Sequence, residues 1–399
     1  MSKTIFTKDL STPDPIPDAG IERAVQLMQS GRLHRYGEVK GEEMEVMALE
    51  REFADYMGMR YAVGLNSCGC ALFVALKSAG VQHGDKVLMN AFTLAPVPGS
   101  IAHCGAEPVL VEVSDDYTID LDDLRIKATE SGAKYLMLSH MRGHIVDMEA
   151  LSALCQELGL TVIEDCAHTM GASWNGRWTG TFGAVSCFST QTFKHINSGE
   201  GGLLVTNDED IAAKAILYSG SYMLYHQHGA RPEPEVFDRW KAVIPNFSMR
   251  MSSLSAAMLR PQLALMTERG ELWNQLYTQL AERFAEIPHI QLPERGPSEQ
   301  FVASSIQFTI IDLADAQMIA FQEACDERGV HLKWFGRDEA LGFTSRYPHW
   351  AYRAEQVELP QTDHVMRGLF DMRIPLNLTE ADVELIALVM CESMETVIQ

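Results

Sequence analysis

Lys194 sits in CFSTQTFKHINSGEGG, just past a β-prone run and just before a Gly-rich turn. A backbone held in this way can aim a long amine into a cleft, where burial lowers its pKa and makes it a nucleophile or a base. Twenty-nine residues earlier, Asp165 closes the apolar run TVIED. A carboxylate in such a run is costly without a cationic partner. The bland alternative for Asp165 is the N-cap of a following helix.

An aldehyde cofactor held by a lysine would supply the missing cation, since its pyridinium nitrogen needs a carboxylate to stay protonated and act as an electron sink. Such a cofactor also carries an anionic group. Asn66-Ser67-Cys68-Gly69-Cys70-Ala71-Leu72 reads as a strand entering a helix through a small-residue turn. The amino end of that helix offers free N–H groups and a favourable dipole to a phosphate. Ser189, five residues before Lys194, is a second hydroxyl that could reach the same group.

The elements that must position these residues are short apolar runs alternating with helical patterns between about residues 60 and 220. Candidate strands are RYAVGLN (60 to 66), KVLMN (86 to 90), PVLVEV (108 to 113), YLMLSH (135 to 140), TVIED (161 to 165), AVSCFST (184 to 190) and GLLVTN (202 to 207). Segments such as ALFVALKSAG and MEALSALCQELG repeat apolar residues at helical spacing. The alternation predicts an α/β fold: a large domain with a mostly parallel seven-stranded sheet flanked by helices, residues 1 to 255, and a smaller C-terminal α+β domain, residues 256 to 399. Asn66-Ser67, Asn90, His140, Asp165 and Ser189 fall at the carboxyl ends of the runs, the edge where ligands bind in open sheets. From residue 221 to 251 the pattern reads as a long loop, followed by a helical stretch to about Ile287 and a last strand-like MRIPL.

The 399 residues suit two domains, and 32 basic against 54 acidic residues leave a net charge of −22. That charge repels nucleic acid and anionic membranes. No window supplies the roughly 20 apolar residues of a membrane span and the start lacks a leader-like core, so a soluble cytoplasmic protein is expected. Eight scattered cysteines read as reduced, mostly buried thiols, and Cys68-Gly69-Cys70 is spaced too tightly for a redox or zinc pair. The Met-rich 44 to 59 has helical spacing and reads as core. Tyr225-His226-Gln227-His228 places alternate histidines on one face of a strand, but without a third ligand it reads as a loop rather than a metal site. His140 and His144 read as structural.

Taken together, GRLHRYGE, HGDKVLMNAFTLAP, AHCGAEPVLVEV, LSHMRGHIVDM, VIEDCAHTMGASWNGRWTGTFGAVSCFSTQTFKHINSGEGG and MRMSSLSAAMLRPQL resemble the DegT/StrS-type sugar aminotransferases, a branch of the fold type I pyridoxal-phosphate enzymes. The resemblance covers nearly the whole chain. It implies pyridoxal 5'-phosphate as cofactor, Lys194 as the lysine that carries it and moves the substrate proton, and Asp165 as partner of the pyridine nitrogen. It further implies Ser67, Gly69 and Ser189 as phosphate ligands, with Cys68 in the same turn. Several positions depart from the family pattern. Ser67-Cys68-Gly69 replaces Ser-Gly-Thr; Leu94 replaces an aromatic ring stacked on the cofactor; His168 replaces a Gln near the phenolic oxygen. The family's Asn-x-Arg motif becomes Asn246-Phe247-Ser248-Met249-Arg250, with Asn246 or Ser248 toward the partner's phosphate and Arg250, Tyr36 and His195 toward substrate. The implied partners are an amino-acid donor, glutamate or glutamine, and a keto-sugar, cyclitol or similar polar keto compound, in a homodimer that shares its sites. No metal is expected. Two alternatives stand beside this reading: a sugar dehydratase, which uses histidine in place of the lysine, and a regulatory protein that binds the cofactor without turnover.

Overall fold

The computed structural model describes residues 4–37, 41–353 and 357–398; Glu38, the last residue of GRLHRYGE, lies outside them. All seven expected runs form strands: β1 (Tyr61–Leu65), β2 (Lys86–Asn90), β3 (Glu107–Val111), β4 (Tyr135–Ser139), β5 (Thr161–Asp165), then, after the short hairpin β6 (Ser173–Trp174) and β7 (Arg177–Trp178), β8 (Val185–Ser189) and β9 (Gly202–Thr206). They assemble in the order β1-β9-β8-β5-β4-β2-β3. β9 runs antiparallel to both its neighbours and every other pairing is parallel. β1, β8 and β9 are buried along their whole length, which is why they read as unbroken apolar runs rather than alternating ones. The helix Cys68–Ala79 packs across β8 and β9.

One close approach ties this sheet to the phosphate turn. A Cβ on Gly202, where β9 opens, would stand 2.5 Å from the Ser67 carbonyl oxygen. Only glycine lets that strand pass under the turn.

The chain then forms β10 (Ile290–Gln291), β11 (Glu299–Gln300), β12 (Ser305–Ile310), β13 (Lys333–Trp334) and β14 (Leu369–Arg373). A second, antiparallel sheet has the order β10-β12-β14-β13, and β11 pairs with β6 in a small ribbon. Trp273, Leu280 and Phe284 of the helix Met266–Phe284 are buried in one core with Leu136 and Leu138 of β4 and Phe308 and Phe370 of the second sheet. The amino-terminal arm also reaches this side, with the Phe6 amide donating to the Arg328 carbonyl at 2.8 Å. No helix among the described residues is long and apolar enough to cross a membrane.

Two local expectations need correction. The loop from 221 to 251 contains a helix, Pro234–Trp240, started by a proline and held by Phe237 stacked on Tyr225 at 4.2 Å. The last strand is Leu369–Arg373 rather than MRIPL, because Pro375 cannot donate to a ladder.

Candidate active site

The carboxyl ends of β4, β5 and β8 open into a cavity of about 450 Å³ whose wall includes Ser67, Cys68, Gly69, Leu94, Asp165, His168, Ser189 and Lys194. That volume suits a cofactor with a small substrate.

Ser67 leaves β1 in an extended conformation and caps the following helix, its Oγ accepting from the Cys70 amide at 3.1 Å. The Ala71 amide donates to the Ser67 carbonyl, so the amides of Cys68 and Gly69 have no acceptor among the described residues. An anion at this helix end would meet two free N–H groups and the hydroxyl hydrogen of Ser67. The substitution of Cys for Gly at position 68 leaves that backbone cradle intact.

Asp165 is buried at the end of β5, and a turn rather than a helix follows, so it is no helix cap. Its carboxylate accepts from the Ala167 amide at 3.1 Å and from Ser139 Oγ at 3.0 Å, while Thr93 Oγ1 donates to Ser139 Oγ at 2.8 Å. Burial pushes its pKa up, and the Ala167 amide and Lys194 oppose that rise. A cationic ring nitrogen beside it would keep it ionised.

Adjacent Glu164 points to the opposite face of the strand. It accepts from the amides of Gly180 (2.8 Å), Phe182 (2.8 Å) and Gly183 (2.6 Å) and contacts His140 Nε2 at 3.1 Å. His140, Glu164 and Cys166 lie within 4.8 Å of one another, but the carboxylate is already engaged by these donors.

Lys194 is half-buried, with Nζ 2.8 Å from His168 Nε2. Burial, reinforced by Arg142, lowers its pKa to about 8. Burial also holds His168 well below the usual histidine range, so its ring is a neutral acceptor for the lysine.

The other expected residues do not line this cavity. Tyr36 is buried, with its hydroxyl 2.9 Å from His228 Nε2. His195, expected at the substrate, turns away from it and packs edge-on against Trp273 with ring centroids 5.1 Å apart. A side chain that follows Lys194 in this turn is directed into the core instead. Asn246 and Ser248 are exposed and bond to each other, Asn246 Oδ1 accepting from the Ser248 amide at 2.9 Å. Arg250 donates to the Gly220 carbonyl at 3.0 Å, and the Met249 carbonyl accepts from the Asn66 amide, which puts this segment beside the phosphate turn. His226 and His228 do not share a strand face: a short helical turn, Tyr225–Gln227, leaves His226 exposed and buries His228 against Glu50. His144 is buried with Nε2 2.9 Å from Gln307 Oε1, a structural contact.

Sequence reasoning missed Arg142 and Arg373. Arg142 follows β4 in LSHMRGH in a left-handed conformation (φ 57°), and Arg373 ends β14. The one local signal was a charged residue inside otherwise apolar, strand-like segments.

With this geometry in place, a family model described as the DegT/DnrJ/EryC1/StrS aminotransferase family matches residues 17–390. The chain belongs to that family. The match makes this DegT/DnrJ/EryC1/StrS member an enzyme of the aminotransferase class with pyridoxal 5'-phosphate as cofactor. Among curated relatives, the spore coat polysaccharide biosynthesis protein SpsC of Bacillus subtilis (strain 168) is 30% identical over 280 residues, covering 68% of each chain. The GDP-perosamine synthase of Caulobacter vibrioides is 32% identical over 257 residues, 63% of this chain and 66% of the relative. The matches thus span about two thirds of these relatives' lengths. The solved structure of 3-amino-5-hydroxybenzoic acid synthase shares the fold with a TM-score of 0.83 at 24% identity, over 96% of this chain and 98% of that one.

Proposed function

We propose that this family member moves an amino group from an amino acid, glutamate or glutamine, to a polar keto compound of the keto-sugar or cyclitol kind, with Lys194 and Asp165 as its central residues. The supporting observation is that one cavity joins a lysine of lowered pKa, a buried carboxylate and a helix end with two unpaired amides.

The donor set fits pyridoxal 5'-phosphate, which when bound supplies an electron sink for the electrons left at the substrate carbon. Ser67, Gly69 and Ser189, with the Cys68 amide, would hold its phosphate. Asp165, kept in place by the Ala167 amide and Ser139 Oγ, would pair with the pyridine nitrogen. Leu94 and His168, which line the same cavity, would flank the ring, the first offering apolar contact and the second a hydrogen bond. Lys194 Nζ accepts the proton from the substrate carbon and returns it, a task suited to an amine whose pKa lies near neutrality.

A second copy of the chain completes the site in this reading. Asn246 and Ser248 are exposed beside the phosphate turn, free to reach a partner's phosphate, and Arg250 lies next to them. Tyr36 stands behind them against His228. The domain division near residue 255 then separates a cofactor-holding part from a smaller part that lends Arg373 to the cavity wall.

Purified protein given pyridoxal 5'-phosphate should acquire a visible absorbance band, which glutamate or glutamine converts and a keto acceptor restores. Lys194→Ala should lose the band and turnover together. An unchanged spectrum in that variant defeats the assignment, and a band that no amino donor alters favours a cofactor-binding protein without turnover. Sedimentation at micromolar concentration should give a dimer.

A further inference from the structure

The Lys194 cavity carries more positive charge than its cofactor chemistry uses. Arg142, Arg373 and Lys333 gather on the side away from the phosphate turn, around one carboxylate, Asp371. Arg142 Nη2 lies 3.1 Å and Lys333 Nζ 3.3 Å from Asp371 Oδ2, and Gln307 donates to Oδ1 at 2.7 Å. Asp371 is therefore saturated. The Arg373 guanidinium has no hydrogen bond or ion pair among the described residues; it stacks 3.7 Å over the ring of Phe193, the neighbour of Lys194. Arg142 Nε is buried without a partner. Both arginines line the Lys194 cavity and the narrower cleft of about 60 Å³ beside it.

A planar fork held on an aromatic face and facing open space suits a carboxylate. The cofactor phosphate cannot answer it, because its cradle is the helix end at Ser67. An α-amino-acid donor can. An aminotransferase, however, receives donor and acceptor in turn at the same place. An acceptor without an anionic group would leave the partly buried Arg373 guanidinium and the buried Arg142 Nε unanswered in half of every cycle, and sites built around such donors discriminate against ligands that leave them unpaired. We propose that Arg142 and Arg373 seat a carboxylate of the keto acceptor, so that among the polar keto compounds proposed above the acceptor is one that carries a carboxylate. This rests on the aminotransferase reading given above.

Two measurements on the reconstituted holoenzyme test it. The first is calorimetric binding of succinate, an unreactive dicarboxylate, against neutral succinamide and inorganic phosphate. Succinate should bind more tightly than either, and Arg373→Met should weaken it roughly ten- to a hundredfold while the thermal unfolding midpoint stays near the parent's. Equal succinate binding in parent and variant, or a preference for inorganic phosphate, overturns the clamp. The second uses the amine-loaded enzyme and a panel of keto acids, each paired with its methyl ester. The acids should restore the aldehyde spectrum at least tenfold faster, with the difference collapsing in Arg373→Met and Arg142→Met. Esters reacting as fast as acids, or discrimination that survives both substitutions, overturns the acceptor assignment. A parent enzyme that no amino donor converts would instead sink the aminotransferase reading, with the succinate titration still deciding whether the clamp exists.

Discussion

Nζ of Lys194 lies 2.8 Å from Nε2 of His168, so the amine is hydrogen-bonded to a neutral imidazole where the family resemblance anticipates a glutamine. The imidazole accepts from the ammonium form and steadies it against the burial that disfavours charge. His168→Phe should therefore lower the Lys194 pKa further, while His168→Gln, which keeps an acceptor, should not. The pH dependence of pyridoxal 5'-phosphate capture by the apoenzyme measures it; equal midpoints in the two variants would contradict this account.

The same assay reads Lys194 in the parent. Its neutral amine is the nucleophile, and the pKa lies near 8 against an ordinary 10.5. Capture should rise with pH up to about 8 and then level off. A free lysine would instead keep gaining about tenfold per pH unit to beyond pH 10. Arg142→Met removes a neighbouring cation, so its plateau should begin at higher pH.

Ser67 combines two roles that substitutions can separate. Ser67→Ala should cost about 1 kcal/mol of stability through loss of the helix cap and should also weaken cofactor binding. Ser67→Asp restores the cap but sets a carboxylate against the phosphate. Urea unfolding should recover in the aspartate variant while cofactor affinity falls below that of the alanine one.

Outside the cavity, the buried Arg35 and Glu50 pair at 2.9 Å, and Glu50 also meets His228 and the Gly64 amide. Burial alone would raise the carboxyl's pKa; Arg35 and His228 outweigh it and bring it to about 2, below the ordinary 4.5. A depressed carboxyl stabilises the fold fully above pH 4.5 and loses that contribution as pH falls toward 2. Glu50→Gln strands the Arg35 charge and should cost about 3–5 kcal/mol at pH 7. Chemical denaturation between pH 3 and pH 6 should show a shallower pH dependence in the variant than in the parent.

How much was legible in the sequence differs by residue. The strands β1 to β5, β8 and β9 announced themselves because each is an apolar run long enough to cross a sheet and closed by polar residues. Lys194 and Asp165 were legible for the same reason: each stands near the end of such a run, where the strand edge opens. Glu164 and Asp165 show the limit. Adjacent residues of a strand must face opposite ways, but which of them meets the cavity depends on what packs on each face. His226 and His228 were read as part of a loop, and the loop holds a single helical turn that turns the two side chains apart.

What the sequence by itself determined is the parallel sheet, the edge that carries chemistry, and a lysine, a carboxylate and a helix end placed along it. Local periodicity encodes which faces are buried, and burial builds elements. Only the tertiary structure decided that Arg142, in the loop after β4, and Arg373, at the end of β14, meet beside Lys194. Their convergence follows from strand order and from the shared core between the two sheets, and no pattern local to either residue carries that information.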